Sequence, residues 1–552
     1  MANRVVSTDN SDADEIGEFD YVIVGAGSAG CVLANRLSED GQTSVCLLEA
    51  GGSDKHPFIE MPMGFAAWNY WSPGQAKYNW NFETAPQPQL NGRRGFQPRG
   101  KTLGGSSSIN AMIYIRGTPS DYDTWAELGA DGWSWSDVLP YFKKAECNER
   151  GADDLHGGNG PLSVSDLRSK NPVCDVFLDA AKELQWPSND DFNGPVQEGT
   201  GFYQVTQRDG RRCSSAKAYL YDAAARQNVS VETAARAHQV LIEEGRATGV
   251  LLDQGGRLKV VRARREVVLS AGAFQSPHLL LLSGIGPGHA MSAFGIDVVK
   301  DLAGVGQNLQ DHLDYTVLEK AKAPGSIDLG WAISSLLKGE YGKFSRHGQG
   351  RFTTNVAEAG AFLKTSPDLT DPDIQLHFVP ALVDDHGRKK YVSGGYSCHV
   401  CVLRPKSRGT VTLASPDPAE APVIDPQFLS APEDLDTLVR GTELIFRLFD
   451  TPAFKALNGQ RLYFDGTDRE GLIEDIRNRA DTIYHPVGTC RMGKDEGSVV
   501  GPDLKVHGLE GLRVADASVM PTLIGGNTNA PSIMIGEKAS DLIKSEHARA
   551  AH

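Results

Sequence analysis

The chain has 552 residues and a formal net charge of −15, with 40% hydrophobic and 23% charged residues. This length predicts at least two domains, because single hydrophobic cores stop growing well below it. The acidic balance argues against nucleic acid as a partner, since phosphate binding needs a basic surface. No apolar run approaches the roughly 20 residues that a membrane-spanning helix requires.

Residues 1–18 are rich in acidic side chains and lack the basic and apolar regions of a signal peptide. We expect a disordered acidic tail and a cytoplasmic protein. The chain has 8 cysteines, mostly isolated, which fits a reducing compartment. The close pair Cys398 and Cys401 lies in a predicted strand, where a separation of three sends the side chains to opposite faces. We therefore predict no metal site.

The first motif in chain order is a buried strand followed by a glycine turn and a helix. Apolar residues 21–24 precede Gly25, Gly27 and Gly30, and the apolar residues of 31–37 recur at near-helical spacing. Glycine permits the sharp turn, the close approach of a pyrophosphate and the packing of helix on strand. The unpaired N–H groups at the helix start would face the phosphates.

A second predicted strand, residues 45–48, ends at Glu49, about 20 residues after Gly30. A carboxylate at this place can accept hydrogen bonds from a ribose diol. This favours a dinucleotide without a 2′-phosphate, and it leaves NAD and FAD open.

Residues 99–113 form a second motif, in which two glycines precede three serines and Asn110. Successive backbone donors there suit a phosphate or the edge of a flavin ring, and a flexible linker is the alternative. The aromatic residues of the preceding loop form either a satellite hydrophobic cluster or a wall over a cofactor; these are Phe65, Trp68, Tyr70, Trp71, Tyr78 and Trp80.

Later segments repeat the pattern of a strand that ends near polar residues. Residues 267–287 read as strand, turn and helix, and the strand at 512–515 ends at Asp516, where ligands bind in open α/β sheets. A helix is predicted over 532–543, with asparagines just before its positive end. His485 precedes a proline in a glycine-flanked loop, and its residue pattern alone fits either a structural or a catalytic role.

Together these motifs resemble the glucose-methanol-choline (GMC) family of FAD oxidoreductases. The resemblance rests on the glycine turn at 25–30, the segments 99–117 and 272–287, the His485-Pro486 pair and the region around Asn527. Within the family the sequence is similar above all to bacterial alkanol dehydrogenases, and more loosely to choline dehydrogenases. Supporting stretches are residues 90–93, 201–207 and 385–388.

The resemblance and the alternating stretches at 374–379 and 397–402 predict an α/β protein. It would have a Rossmann-like FAD-binding domain assembled from discontinuous segments and an inserted α+β substrate domain built on an antiparallel sheet. The expected boundaries are 19–165, 228–310 and 476–552 for the FAD-binding domain, and 166–227 and 311–475 for the substrate domain.

The resemblance also implies site residues. His485 would be the catalytic base and Asn527 its partner on the substrate oxygen, and since an amide cannot take a proton, the base role falls on His485 alone. His377 and Phe378 would line the substrate pocket. FAD would be held by Gly25, Gly27, Ser28, Ala29, Gly30, Glu49, Arg99, Thr102, Gly105, Ser106, Asn110, Ala111, Met112, Ile113, Val240, Asp516, Ala517, Thr528 and Asn529.

The implied reaction is oxidation of a primary alcohol to an aldehyde, with proton abstraction by His485 and hydride transfer to flavin N5. Electrons would pass to a quinone or another acceptor. Ile109 stands where some relatives carry the histidine that attaches FAD covalently, so we expect non-covalent FAD. An oxidase that produces hydrogen peroxide, a choline dehydrogenase and a lyase with structural FAD remain alternatives. Peripheral association with the inner membrane face stays open, although no amphipathic basic helix is evident.

Overall fold

The structure is a computed structural model that describes residues 13–64 and 75–550. The expectations for residues 1–12 and for Phe65, Trp68, Tyr70 and Trp71 lie outside the described residues. Residues 14–18, assigned to the acidic tail from the sequence, instead belong to the first strand. They join a sheet because a long strand, which begins at Arg257, extends far enough to pair with them.

The described residues form 24 strands. In chain order they are β1 (Asp14–Val24), β2 (Val45–Leu48), β3 (Phe82–Glu83), β4 (Phe96–Gln97), β5 (Glu146–Asn148), β6 (Leu162–Val164), β7 (Gly199–Phe202), β8 (Gln207–Arg208), β9 (Arg211–Arg212), β10 (Val229–Glu232), β11 (Ala235–Glu243), β12 (Arg246–Gln254), β13 (Arg257–Leu269), β14 (Ile285–Gly286), β15 (Lys300–Asp301), β16 (Leu313–Lys320), β17 (Ala359–Leu363), β18 (Ile374–Val379), β19 (Gly395–Val402), β20 (Thr410–Thr412), β21 (Val423–Asp425), β22 (Gln460–Arg461), β23 (Asp481–Thr482) and β24 (Leu512–Val514).

The α-helices of the same residues are α1 (Ser28–Leu37), α2 (Pro57–Glu60), α3 (Gln75–Tyr78), α4 (Pro119–Glu127), α5 (Trp135–Ala145), α6 (Pro172–Glu183), α7 (Tyr221–Ala224), α8 (Gly272–Leu282), α9 (Gly288–Ser292), α10 (Leu329–Leu337), α11 (Glu340–His347), α12 (Pro432–Phe449), α13 (Pro452–Lys455), α14 (Arg469–Arg479) and α15 (Asn529–Ala550). The last helix is longer at both ends than the 532–543 predicted from the sequence. In the described part of the chain, no helix combines the length and the apolar character needed to cross a membrane.

The first large sheet has the order β10-β2-β1-β13-β12-β11, and β24 pairs with the second half of β13. The pairs β10–β2, β2–β1, β1–β13 and β13–β24 are parallel, whereas β12 pairs antiparallel with both β11 and β13. The carboxyl ends of the parallel strands therefore lie at one edge of the sheet. Gly25, Glu49, Ser270 and Ala515 follow these ends directly.

The second large sheet is antiparallel throughout, with the order β22-β16-β19-β18-β17-β7 and with β23 paired to β16. Helices α6 and α12 cover one of its faces through a hydrophobic cluster that includes Phe177, Phe378 and Leu438. Cys398 belongs to this cluster, while Cys401 belongs to a cluster on the other face. The predicted fold class, a Rossmann-like parallel sheet with an α+β part on an antiparallel sheet, is confirmed.

Candidate active site

A cavity of about 610 Å³ runs from the carboxyl edge of the parallel sheet to the face of the antiparallel sheet that carries His377. Residues from widely separated parts of the chain line it, including the glycine turn after β1, the 99–113 loop, the start of α8 and the start of α15.

The glycine turn is held so closely that side chains are excluded from parts of it. Gly25 has φ of +101°, and a Cβ there would lie 2.4 Å from the carbonyl oxygen of Ser270. A Cβ on Gly30 would lie 1.9 Å from the carbonyl oxygen of Gly25, so this glycine lets helix α1 pack on the turn. Gly27 differs, since a Cβ there would lie 3.9 Å from its nearest neighbour, the carbonyl oxygen of Ser270, and Gly27 lines the cavity.

Glu49 is oriented by backbone donors from both sides. Its Oε2 accepts a hydrogen bond from the Ala26 N–H at 3.0 Å, and its Oε1 accepts one from the Gly51 N–H at 2.7 Å. Burial raises the pKa of Glu49 to about 7, and the two backbone N–H groups and Lys101 act in the opposite direction. The carboxylate is thereby fixed at the cavity wall, one strand away from the glycine turn.

Asp516, which lies just after β24, is oriented by hydrogen bonds in the same way as Glu49. Its Oδ2 accepts hydrogen bonds from the Gly272 N–H at 2.8 Å and from the Ser276 hydroxyl at 2.5 Å. Its Oδ1 accepts a third from the Ser518 N–H at 2.8 Å. These bonds join the start of α8 to the end of β24, so the carboxylate holds two walls of the cavity together.

The 99–113 loop lies against the glycine turn. Gly105 has φ of +52°, and a Cβ there would be 2.8 Å from Cα of Gly27. The Asn110 amide oxygen accepts bonds from the Met112 N–H at 3.0 Å and from Arg212 Nη1 at 2.8 Å. Arg99 donates through Nη2 to the carbonyl oxygen of Tyr484 at 2.8 Å. The loop is thus an ordered wall of the cavity and not a flexible linker.

His485 is fixed in backbone and ring. Its N–H donates to Asp311 Oδ1 at 2.8 Å, and the proline that follows keeps its backbone extended. Its ring Nδ1 lies 3.0 Å from Nδ1 of His312, and its Nε2 lies 3.2 Å from Nδ2 of Asn527. The residue as a whole is 8% exposed.

The hydrogen-bond partners determine the tautomer of His485. His312 Nε2 lies 3.0 Å from the carbonyl oxygen of Leu403, which only accepts, so His312 carries its proton on Nε2. The Nδ1 of neutral His312 is then an acceptor, and His485 donates to it from Nδ1. The Nε2 of His485 is left unprotonated and faces Asn527.

The orientation of the Asn527 amide follows from a similar series of hydrogen bonds. The Tyr203 hydroxyl donates to the carbonyl oxygen of Leu376 at 2.7 Å. Gln375 Nε2 donates to the Tyr203 oxygen and to Asn527 Oδ1, both at 3.2 Å. The Asn527 amide oxygen is therefore occupied, and its NH₂ group points at His485 Nε2. An acceptor nitrogen and a donor amide thus stand side by side at the cavity wall.

Burial keeps the imidazoles of this wall neutral. It lowers the pKa of His485 well below its usual range, and the neighbouring His312 and His377 lower it further. Burial also lowers the pKa values of His312 and of His377 to about 3. His485 is consequently in its proton-accepting form at neutral pH.

His377 and Phe378 are separated by the alternation of strand β18. His377 lines the cavity, and among the described residues its buried Nδ1 has no hydrogen-bond partner. The Phe378 ring is fully buried on the other face, 4.9 Å from the ring of Phe177 between centroids. Phe378 is therefore a core residue and does not line the substrate pocket, contrary to the sequence-based expectation.

Most of the residues implied by the sequence meet at this cavity, and three besides Phe378 do not line it. Gly30 packs α1 on the turn, and the Thr102 hydroxyl donates to the carbonyl oxygen of Gly52 at 2.9 Å. The Val240 N–H donates to the Ser283 hydroxyl at 2.8 Å. The cavity is lined by Gly25, Gly27, Ser28, Ala29, Glu49, Arg99, Gly105, Ser106, Asn110, Ala111, Met112, Ile113, His377, His485, Asp516, Ala517, Asn527, Thr528 and Asn529.

Three residues that support the imidazole wall were not predicted from the sequence: Asp311, His312 and Gln375. Two signals could have drawn attention to them: Asp311 and His312 immediately precede the first long strand of the antiparallel sheet, and Gln375 lies two residues from His377. Among the described residues, no group of three or more histidine, cysteine or acidic side chains could hold a metal ion.

Models of the GMC oxidoreductase family match residues 19–314 and 405–536. The chain belongs to the GMC oxidoreductase family. It is 49% identical over 533 residues to an alcohol dehydrogenase [acceptor] of Pseudomonas putida, with 95% of each chain covered. It is 44% identical to an oxygen-dependent choline dehydrogenase of Rhizobium etli, again over 95% of each chain.

Among solved structures of this family, a formate oxidase variant of Aspergillus oryzae, studied for its FAD modification, superposes with a TM-score of 0.88. The two sequences are 28% identical, and the match covers 97% of this chain and 100% of the other. The GMC fold therefore extends over nearly the whole chain, including both large sheets.

Proposed function

We propose that this GMC oxidoreductase is an FAD-dependent dehydrogenase that oxidises primary alcohols to aldehydes. The observation that carries the proposal is the pair formed by the unprotonated Nε2 of His485 and the Nδ2 donor of Asn527, 3.2 Å apart at the cavity wall. The Pseudomonas putida relative, named as an alcohol dehydrogenase, supports the same reaction.

The residues that line the cavity fit FAD. Gly27 leaves room where a pyrophosphate would approach, next to the start of α1, and Glu49 presents a carboxylate at the place for a ribose diol. Arg99 Nε is buried at this wall and has no hydrogen-bond partner among the described residues. When bound, FAD supplies the acceptor for the hydride of the alcohol.

The residues of the chain supply the acid–base part of the reaction. A hydroxyl that contacts both His485 and Asn527 from the cavity side can donate to Nε2 and accept from the amide Nδ2. His485 then takes the hydroxyl proton at Nε2 as the general base. His312 Nδ1 continues to accept the hydrogen bond from Nδ1 of His485, which keeps the ring in place as it becomes charged.

The walls near His377 favour an alcohol with an apolar chain. Val356, Ala357, Val379 and Val383 line this part of the cavity. The cavity also contains His399, whose Nδ1 lies 2.7 Å from Asp314 Oδ2. Since Asp314 itself does not line the cavity, we propose neutral alcohols in preference to choline.

The test is anaerobic mixing of the purified holoenzyme with aliphatic, aromatic and choline-like alcohols while the flavin absorbance is followed. The proposal predicts bleaching by primary alcohols, fastest for apolar ones. Failure of every alcohol to bleach the flavin would contradict it and favour a lyase with structural FAD. Faster reduction by choline would contradict the preference for neutral substrates.

We further propose a quinone or a similar compound as the electron acceptor, as the acceptor-dependent relative suggests. Turnover should depend on added quinone and produce little hydrogen peroxide in air. Stoichiometric peroxide without an added acceptor would show an oxidase instead.

The cytoplasm is the proposed location of the protein.

We also propose that FAD is bound without a covalent link. Ile109 lines the cavity and carries no nucleophilic atom. Acid denaturation should therefore release all of the flavin into the supernatant. Flavin that stays with the precipitated protein would overturn this proposal.

A further inference from the structure

Three arginine side chains of the described residues are almost completely buried, and one of them lacks an acidic partner. Arg116 is paired with Glu146, and Arg513 donates to Glu266 Oε2 at 2.5 Å. Arg212, which is 2% exposed, forms no ion pair with any described residue. A buried cation is costly unless an opposite charge compensates it. The burial of Arg212 therefore indicates that a ligand supplies the compensating charge.

The guanidinium of Arg212 is held by neutral acceptors. Its Nε donates to the carbonyl oxygen of Ile59 at 2.8 Å, and its Nη1 donates to the carbonyl oxygen of Ser107 at 3.1 Å and to Asn110 Oδ1 at 2.8 Å. Its Nη2 is buried and has no hydrogen-bond partner among the described residues. Burial lowers the pKa of Arg212 to about 9, so the group is still charged at neutral pH. An uncompensated positive charge is thus fixed behind the 99–113 loop.

The contact with Arg212 also sets the direction of the Asn110 amide. The Oδ1 of Asn110 accepts from both Arg212 Nη1 and the Met112 N–H, so this oxygen is occupied. Asn110 lines the cavity, and its Nδ2 has no hydrogen-bond partner in the part of the chain that the structure describes. The amide is therefore fixed with its NH₂ group available to a ligand, and the positive charge lies directly behind it.

Asn110 lies between the two ends of the cavity. On one side, Gly105 lies against Gly27 of the glycine turn, where a pyrophosphate would approach. On the other side, Ile113 packs in a hydrophobic cluster with Val379, which lines the part of the cavity proposed for the alcohol. A flavin ring that joins these two ends would lie in the middle part, next to Asn110.

We propose that Arg212 stabilises the negative charge that the flavin ring acquires on reduction, by its own charge and by orienting the Asn110 amide. Hydride transfer breaks the C–H bond of the alcohol and adds two electrons and one proton to the ring, while the hydroxyl proton goes to His485. The ring, which is neutral before reduction, thereby gains one negative charge, and a nearby cation favours the reduced form. Arg212 is a positioning residue in this account. The inference rests on the proposed function, which places FAD in the cavity.

The pyrophosphate of FAD is the alternative source of the compensating charge. Pyrophosphate carries the same charge in oxidised and reduced FAD. If it were the partner of Arg212, loss of the arginine would weaken the binding of both forms equally and leave the reduction potential unchanged. The reduction potential of bound FAD therefore separates the two sources.

The test is the midpoint potential of bound FAD, measured without alcohol by equilibration with a reference dye, together with titration of the apoprotein with oxidised FAD. Arg212→Met should lower the equilibrium constant for two-electron reduction about tenfold, which moves the potential about 30 mV to more negative values. The affinity for oxidised FAD should stay within about threefold of the parent value.

Two further variants separate charge from hydrogen bonding. Arg212→Lys keeps the charge and should recover most of the parent potential, whereas Arg212→Gln keeps a donor without the charge and should resemble Arg212→Met. Both keep a polar group for the buried carbonyl oxygens, so their comparison decides the matter if Arg212→Met fails to fold. A parent-like potential in Arg212→Gln would overturn the role of the charge.

The matched control is Arg208→Met, which removes an exposed positive charge from the strand that pairs with β9. It should keep the parent potential. Equal potentials in FAD-loaded parent and Arg212→Met would overturn this inference alone, and a loss of affinity for oxidised FAD at unchanged potential would overturn it in favour of the pyrophosphate. A parent that binds no FAD would overturn the proposed function as well.

Discussion

At one end of the cavity, the strand ends of β1, β2, β13 and β24 place backbone N–H groups and two carboxylates, Glu49 and Asp516, along one edge of a sheet. At the other end, the side chains of His312, His485 and Asn527 meet from three distant segments of the chain. The first end is held mainly by backbone geometry, and the second by a series of side-chain hydrogen bonds.

This difference assigns separate tasks to the two ends. Changes at the sheet edge should weaken FAD binding, because the groups there are suited to phosphate and ribose. Changes at the imidazole end should slow the reaction of bound alcohol while FAD stays bound, because the groups there are suited to moving a proton. If the two tasks separate in this way, variants at the sheet edge should change FAD affinity, and variants at the imidazole end should change the rate of flavin reduction.

The largest effect is expected for His485→Ala. Loss of the general base should slow anaerobic flavin reduction roughly 10²- to 10⁴-fold, with the FAD content unchanged. Stopped-flow absorbance measures both. The control is His289→Ala, which removes an exposed imidazole on α9. A His485→Ala rate within about threefold of the parent would disprove the base role.

The next largest effect belongs to the sheet edge. Gly27→Val places a side chain where the pyrophosphate should approach, and overpacking of this kind should weaken FAD binding roughly 10- to 100-fold. The fold should survive, since the nearest other atom is 3.9 Å from the new Cβ. Titration of the apoprotein with FAD checks this.

Gly52→Ala is the matched control, because a Cβ there has no neighbour within 4 Å among the described residues and does not line the cavity. It should keep the parent affinity. If Gly27→Val bound FAD normally but reduced it slowly, the separation of the two ends would be wrong.

A smaller effect is expected for His312→Phe, which removes the acceptor that fixes the tautomer of His485. Loss of one buried hydrogen bond should slow flavin reduction roughly tenfold, with FAD affinity unchanged. His312→Asn keeps a polar atom near the position of Nδ1 and should recover most of the rate. Equal rates in the two variants would show that His312 serves packing alone.

The smallest effect concerns pH. Burial and the neighbouring His312 and His377 lower the pKa of His485 well below its usual range, as does the charge of Arg99. The base is therefore unprotonated at neutral pH, and the rate of flavin reduction should be nearly flat between about pH 7 and 9, falling only in acid. A rate that rises about fourfold from pH 6 to 8 would place the pKa near that of an ordinary histidine.

The sheet edge could be predicted from the sequence because its groups follow strands directly. Gly25 and Glu49 directly follow short apolar runs, and Asp516 follows the predicted strand at 512–515; the position of a strand end is a local property. The extension of β1 to Asp14 was not predictable in this way, because it depends on pairing with the distant strand β13.

The imidazole end could be predicted only in part. His485 and Asn527 lie in segments that resemble the family, but His312 and Gln375 act through contacts between residues more than 150 positions apart. Their roles depend on ring orientation and amide direction, which no local pattern sets. The position of Phe378, in contrast, does follow from a local pattern, since the alternation of side chains along a strand places it on the opposite face from the adjacent His377.

The most direct test of the central claim is neutron diffraction from crystals of the resting holoenzyme exchanged into D₂O. The account predicts a deuteron on Nδ1 of His485, directed at His312, and none on Nε2, which faces the Asn527 amide. A deuteron on Nε2 of His485 would contradict the assignment of this nitrogen as the proton acceptor.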